Sequence, residues 1–173
     1  MTPRKKQIAL ILVVFTCVVC VDQVSKAIIR SVYPGPETVR MVGPHPVFFR
    51  FTHQHNPGIV GGIFRDKPVM AYAAPLCATL VLIYLFRHLL AASNVQSIGY
   101  GLICGGAVGN LADRIRLGHV TDFLQFHFYF IPFDFPWKYY PAFNFADASI
   151  CTGVFLLILS WYWVGQNDAV HAA

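Results

Sequence analysis

Charge is what this sequence has least of. Only 12% of its 173 residues are Asp, Glu, Lys or Arg, against 56% hydrophobic residues. A soluble domain carries roughly 25% charged residues. The few charges sit between long apolar runs, which excludes an ordinary soluble core and points to the bilayer. Cysteine is also scarce. Cys17, Cys20, Cys77, Cys104 and Cys151 all lie in apolar runs, and an odd number so placed excludes a disulfide framework. The Cys17–Cys20 C-x-x-C pair lacks the βαβ setting of a redox motif and reads as small packed residues. No H-E-x-x-H or Cys/His cluster provides a metal site, and no G-x-S-x-G elbow provides a serine nucleophile. His53 and His55 could face one way from a strand, but nothing completes a ligand set around them. Ser25 and Lys26 are adjacent on a helix and point in different directions, which excludes a Ser-Lys dyad. The net charge of +5 flanks apolar segments and does not accompany aromatic-rich polar strands, so anionic headgroups and not nucleic acid are the expected partner.

What the sequence does have is four apolar stretches long enough to cross about 30 Å of hydrocarbon, which takes about 20 residues. They run approximately over residues 8–29, 68–87, 95–113 and 147–165 of a single integral-membrane domain, 1–173. Arg4, Lys5 and Lys6 ahead of the first stretch resemble the start of a secretory leader, but three further spans favour a retained first helix. Gly105, Gly106 and Gly109 do not follow a strand; they predict close helix packing and not a phosphate cradle. Residues 31–66 hold Pro34, Pro36, Pro44 and Pro46 and an alternating run over 47–52, which predicts turns and short strands. Residues 113–146 are dense in aromatic side chains suited to the headgroup layer, and could close over a bound peptide. Four spans put both termini on one side and both long loops on the other. The N-terminal basic cluster sets the termini in the cytoplasm, although the outer loops carry more basic residues than the inner ones.

Of eight acidic residues, Glu37, Asp66, Asp134 and Asp168 fall in loops or the tail. The other four converge. At about 1.5 Å rise per residue, Asp22, Asp113 and Asp147 all reach the same rim of the bundle, and Asp122 follows shortly after Asp113. Carboxylates at that depth need partners or a function. Lys26 stands one helical turn after Asp22 and predicts a structural pair. Asp113 sits beside Arg114 and close to Asn110, where it could brace the structure as readily as take part in chemistry. Asp122 and Asp147 have no neighbouring cation and are the freest to meet. Two carboxylates held together share one proton: the charged one can activate a water while the protonated one donates to a peptide carbonyl. Two other roles compete. A proton-relaying transporter would use intramembrane carboxylates but is disfavoured by the lack of internal symmetry. A structural subunit would merely pair them with basic side chains.

Five segments, in order, carry a family likeness. Asp22-Gln23-Val24-Ser25-Lys26 resembles the D-Q-x-[ST]-K motif of signal peptidase II. Asn56-Pro57-Gly58 resembles its N-x-G, and residues 105–114 its G-G-A-x-G-N-x-x-D-R block. Val120-Thr121-Asp122-Phe123 resembles V-x-D-F, and residues 143–147 resemble F-N-x-A-D. The resemblance implies an all-α membrane protein of four transmembrane helices, with a small extracytoplasmic β-cradle and an interfacial periplasmic helix in the second long loop. It implies an aspartic endopeptidase of the bacterial inner membrane, monomeric and free of cofactor and metal, active on the extracytoplasmic side. That enzyme removes the signal peptide of lipid-modified prolipoproteins before the diacylglyceryl-cysteine. Asp122 and Asp147 would be catalytic. Asn56, Gly58, Asn110, Asp113, Arg114 and Asn144 would support the site or bind substrate, with Asp22 and Lys26 structural. Two departures stand out: Ile59-Val60-Gly61-Gly62 replaces small alanines common in the family, and the Asp122–Asp147 spacing is long.

Overall fold

A computed structural model describes residues 2–33, 35, 38–41, 48–57, 84, 93–136 and 138–171. Helix α1 spans Pro3–Val32, α2 Asn94–Leu117 and α3 Phe145–His171. Strands β1 (Thr38–Met41), β2 (Phe49–Asn56) and β3 (Val120–Phe126) form an antiparallel sheet in the order β1-β2-β3. The expected span 68–87 and Gly58, with the Ile59–Gly62 departure, lie outside the described residues, Tyr84 excepted.

Local chemistry sets the helix ends. Pro3 opens α1, where its missing N–H costs nothing. The Ser93 hydroxyl accepts the Gln96 N–H at 3.2 Å and caps α2. Gly118, with φ 77°, takes the left-handed conformation that ends α2, and its N–H reaches the Arg114 carbonyl at 3.0 Å. The segments Arg4–Val32 and Phe145–Trp163 are long and apolar enough to cross a membrane. Helix α2 is as long as a span, but buried polar side chains along it interrupt its apolar character.

The glycines of α2 bring the three helices together. A methyl group on Gly105 would lie 2.8 Å from Val18 Cβ of α1, and one on Gly109 would lie 2.6 Å from the Asp22 carboxylate. On the other side, a methyl on Gly106 would run into the Ala146 carbonyl of α3. Only hydrogen fits in these places, so the backbones approach closely enough for short polar side chains to meet. Tyr100, Ile103 and Leu157, with Ile11 against them, form an apolar cluster along the bundle.

The sheet closes one end of that bundle. Ile29, Tyr33, Phe123 and Leu124 form its core, flanked by Phe49, Phe51 and Phe143. The register pairs Phe51 with Leu124 but Gln54 with Asp122, so Thr52 and His53 together oppose Phe123 in a bulge. One expectation needs correction here. Among the described residues between α2 and α3 there is no helix. Instead β3 pairs with β2, and the chain after it folds back through the bridges His127–Tyr139 and Leu124–Phe143. Pro132, Pro136 and Pro141 have no N–H to give a helix, and aromatic contacts take its place: His127 stacks on Tyr139 at 4.2 Å, and Arg50 lies 4.6 Å over the Tyr139 ring.

Candidate active site

The carboxylates gather where α1, the C-terminal half of α2, β3 and the start of α3 meet. The innermost layer is ionic. Asp22, Lys26 and Asp113 are completely buried. The Lys26 ammonium lies 2.8 Å from Asp22 and 3.4 Å from Asp113, with Arg30 at 3.7 Å from Asp113. Two anions and two cations therefore neutralise one another, which is the condition for burying them. The Asp22–Lys26 spacing of one helical turn places both heads on the same face, as the sequence predicts. Asp22 also joins helices: its Oδ1 accepts the Ala146 N–H of α3 at 3.0 Å. Asp113 Oδ2 accepts the Thr121 N–H at 3.1 Å and so fixes the start of β3.

Above this layer lie the two remaining carboxylates, joined by asparagines. Asn144 precedes α3 and caps it reciprocally: its Oδ1 accepts the Asp147 N–H at 2.9 Å, while its own N–H donates to Asp147 Oδ2 at 3.2 Å. This is a capping box built with Asn and Asp. The same Asn144 side chain donates through Nδ2 to Asp122 Oδ1 at 2.7 Å and to Asn110 Oδ1 at 3.1 Å. Asn110 Nδ2 donates to Asp147 Oδ1 at 2.7 Å, and Asn56 Nδ2 donates to Asp122 Oδ2 at 2.9 Å. One buried asparagine thus touches both Asp122 and Asp147, and every oxygen of the two carboxylates accepts an N–H.

Burial pushes the Asp122 carboxyl up to about 7, and the Asp147 charge beside it adds to the rise; the Asn56 and Asn144 hydrogen bonds oppose it. A carboxyl balanced near neutrality can hold or release a proton under working conditions.

Most of the residues singled out from sequence meet here. Asn56, Asn110 and Asn144 hold the two carboxylates, Asp22, Lys26 and Asp113 lie beneath them, and Arg114 is buried on the turn after Asn110, donating to its carbonyl at 3.4 Å. Gly58 is outside the described residues. Two further contributors escaped the sequence reading. Gln23 donates to the Gly109 carbonyl at 3.0 Å and to Asp22 at 3.1 Å. Arg30 donates to Thr121 Oγ1 at 3.0 Å. Both sit one residue or one turn from a residue already singled out, and that proximity was their only signal. His53 and His55 do lie together, with ring centroids 5.1 Å apart, but His53 Nδ1 faces the Tyr33 carbonyl at 3.0 Å. Among the described residues no three His, Cys, Asp or Glu side chains are placed to hold a metal ion.

Comparison with known proteins agrees along most of the chain. A family model described as signal peptidase (SPase) II matches residues 14–163. A lipoprotein signal peptidase of Moorella thermoacetica is 32% identical over 144 residues, covering 83% of this chain and 85% of that protein. Another, from Syntrophotalea carbinolica, is 34% identical over 160 residues, covering 89% and 91%. Among solved structures, a bacterial membrane enzyme determined by the in meso method at 2.3 Å resolution aligns with a TM-score of 0.73 and 29% identity, covering 91% of this chain and 90% of that one. A second such enzyme, at 1.9 Å, aligns with a TM-score of 0.67 and 30% identity, covering 87% and 91%.

Proposed function

The chain belongs to the signal peptidase II family of proteases, and from that premise we propose that it is a membrane aspartic endopeptidase with Asp122 and Asp147 as its catalytic pair. The observation that carries this reading is the single buried side chain of Asn144, hydrogen-bonded to Asp122 and capped onto Asp147. An asparagine shared in this way holds two carboxylates in fixed relation. Neither needs a metal for the chemistry that follows.

The reaction divides the roles between them. Asp122, raised to about 7, keeps its proton and donates it to the carbonyl oxygen of the scissile peptide. Asp147 takes a proton from the attacking water as its oxygen bonds to the carbonyl carbon. As the tetrahedral intermediate collapses, the C–N bond breaks, Asp147 passes its proton to the leaving amine, and the re-forming carbonyl returns its proton to Asp122. The four amide donors around the pair keep both carboxylates aimed while these protons move.

The substrate is a prolipoprotein, and cleavage falls before its diacylglyceryl-modified cysteine. Spans over residues 8–29, 68–87, 95–113 and 147–165 would set the site at the extracytoplasmic ends of four helices in the bacterial inner membrane, with both termini in the cytoplasm and the protein acting as a monomer. That position suits a lipid-anchored peptide: the acyl chains stay in the bilayer, surrounded by phospholipid, while water reaches the scissile bond. Each buried CH₂ of the anchor contributes about 0.8 kcal/mol, so the lipid fixes the depth of the bond. The test uses purified protein in liposomes with a model peptide carrying or lacking the diacylglyceryl group. Cleavage of the lipidated peptide alone is expected; equal cleavage of both would refute the substrate reading.

A further inference from the structure

Lys26 lies further from the peptide than either carboxylate, and its pairing with Asp22 gives it an obvious structural use. Its remaining contacts go beyond that use. An ammonium has three N–H donors and no acceptor. Here all three are engaged, by Asp22 Oδ2 at 2.8 Å, Asp113 Oδ2 at 3.4 Å and Asn110 Oδ1 at 2.9 Å. A structural pair with Asp22 needs only the first. The third reaches out of the ionic layer to a neutral side chain that itself holds Asp147.

The consequence for Asn110 is a matter of which end of its amide points where. Either end of a primary amide fits the same space, and its neighbours decide the orientation. A donor-only ammonium forces the oxygen of Asn110 toward Lys26 and leaves Nδ2 for Asp147 Oδ1, at 2.7 Å. The same oxygen accepts Asn144 Nδ2, whose other bond goes to Asp122. With the Asn110 amide turned over, its oxygen would face the Asp147 carboxylate and its NH₂ would face that of Asn144, so acceptor would oppose acceptor and donor would oppose donor. The Lys26 charge also polarises the amide it touches and strengthens the bond on the far side.

We propose that Lys26 is a positioning residue for the reaction, acting through Asn110 to orient the amide donors that hold Asp147 and Asp122. The inference rests on the assignment of those two residues as the catalytic pair. The charged side chains buried in this core are Asp22 and Lys26 from α1 and Asp113 and Arg114 from α2, with Arg30 at its edge; β2 contributes the amide of Asn56, β3 Asp122 and α3 Asp147. Lys26 hydrogen-bonds the side-chain amide of Asn110, whereas Arg114 donates to that residue's backbone carbonyl. Removing the Lys26 charge withdraws an attraction that holds the Asp122 carboxyl down, so the alkaline limb of the pH–rate profile moves to higher pH.

The double variant Asp22→Asn/Lys26→Met removes a cation together with its anion, which leaves no stranded charge between them. It is compared with wild type in liposomes, on the lipidated peptide, for membrane abundance, thermal midpoint, kcat, KM and pH profile. A purely structural Lys26 predicts recovery of kcat once Asp22 is neutral. The positioning role predicts a folded protein with kcat down about 10²-fold, KM little changed and the alkaline limb raised. Lys26→Gln, which keeps an N–H for Asn110 without the charge, should retain more kcat than the double variant. Wild-type kcat with an unmoved pH profile in the double variant overturns the proposal, as does a loss confined to KM. Failure of both variants to accumulate assigns Lys26 to stability alone and overturns it too. Asp122→Asn and Asp147→Asn are measured alongside. Normal turnover in either means the catalytic pair has been misassigned; loss in both, with a normal Lys26 double variant, defeats this inference only.

Discussion

Replacing Asn144 by serine separates two jobs that one side chain performs. Serine is a good N-cap, so its hydroxyl can still accept the Asp147 N–H that Asn144 Oδ1 now accepts at 2.9 Å. The backbone N–H of residue 144 still donates to Asp147. What serine cannot supply is Nδ2, which reaches Asp122 Oδ1 at 2.7 Å and Asn110 Oδ1 at 3.1 Å. Asn110 Oδ1 keeps the Lys26 ammonium at 2.9 Å, but the buried Asp122 Oδ1 loses its donor, and an unsatisfied buried acceptor costs about 1–3 kcal/mol. At about 1.4 kcal/mol per tenfold in rate, a loss of that size expressed in the transition state lowers kcat about 10- to 100-fold. The Asn144 bond also works against the upward displacement of Asp122, so without it Asp122 holds its proton more tightly and its value rises above about 7. Since activity ends at high pH where that proton is lost, the alkaline limb moves to higher pH. Asn144→Ala should show the same kinetic change plus about 1 kcal/mol of lost helix capping. The assay is turnover of the lipidated peptide against pH, beside thermal midpoints of all three proteins. Wild-type kcat and an unmoved alkaline limb in the serine variant would refute the reasoning.

Three further outcomes follow from the same geometry. Asp22→Ala leaves one uncompensated positive charge in the buried Lys26–Asp113–Arg30 cluster and the Ala146 N–H without its acceptor, so it should cost about 3–5 kcal/mol and be read as lower membrane abundance and midpoint; normal abundance with collapsed turnover would reassign Asp22 to the chemistry. Gly106→Ala presses a methyl onto the Ala146 carbonyl and to 2.8 Å from Ile150 Cγ1, neither of which yields without moving α3; a destabilisation of about 1–3 kcal/mol and a drop in kcat are expected, and an unchanged midpoint would contradict the packing. Exhaustive chelation should leave turnover intact, since carboxylates and water complete the reaction; loss restored by zinc would favour the histidines.

Some of this arrangement was legible in the sequence and some was not, for physical reasons. Asp22 and Lys26 could be paired from their spacing, because one helical turn fixes their directions. The further partners of Lys26 could not, because Asn110 and Asp113 reach it only where Gly105 and Gly109 let α1 and α2 approach. Span lengths alone brought Asp113, Asp122 and Asp147 to one rim. Asn144 capping Asp147 was available from the N-x-x-D spacing, but its bond to Asp122 depends on the return of β3. That strand was the least visible element. Val120 to Gln125 are all buried, so the alternation that marks a half-exposed strand is missing; the dense aromatics after it predicted a loop at the headgroup layer, and the helix that the family resemblance implied there meets three prolines without an N–H. A bracing role for Asp113 could be read from its neighbours, but its partners Lys26, Arg30 and the Thr121 amide come from α1 and β3, which its own helix does not reveal.

The central claim is that Asp122 and Asp147 carry out the cleavage together. Single variants Asp122→Asn and Asp147→Asn keep the shape of each side chain while removing its ability to ionise. Reconstituted in liposomes at equal membrane abundance, and supplied with the lipidated peptide, each should lose nearly all turnover. Near-normal turnover in either variant would contradict the claim.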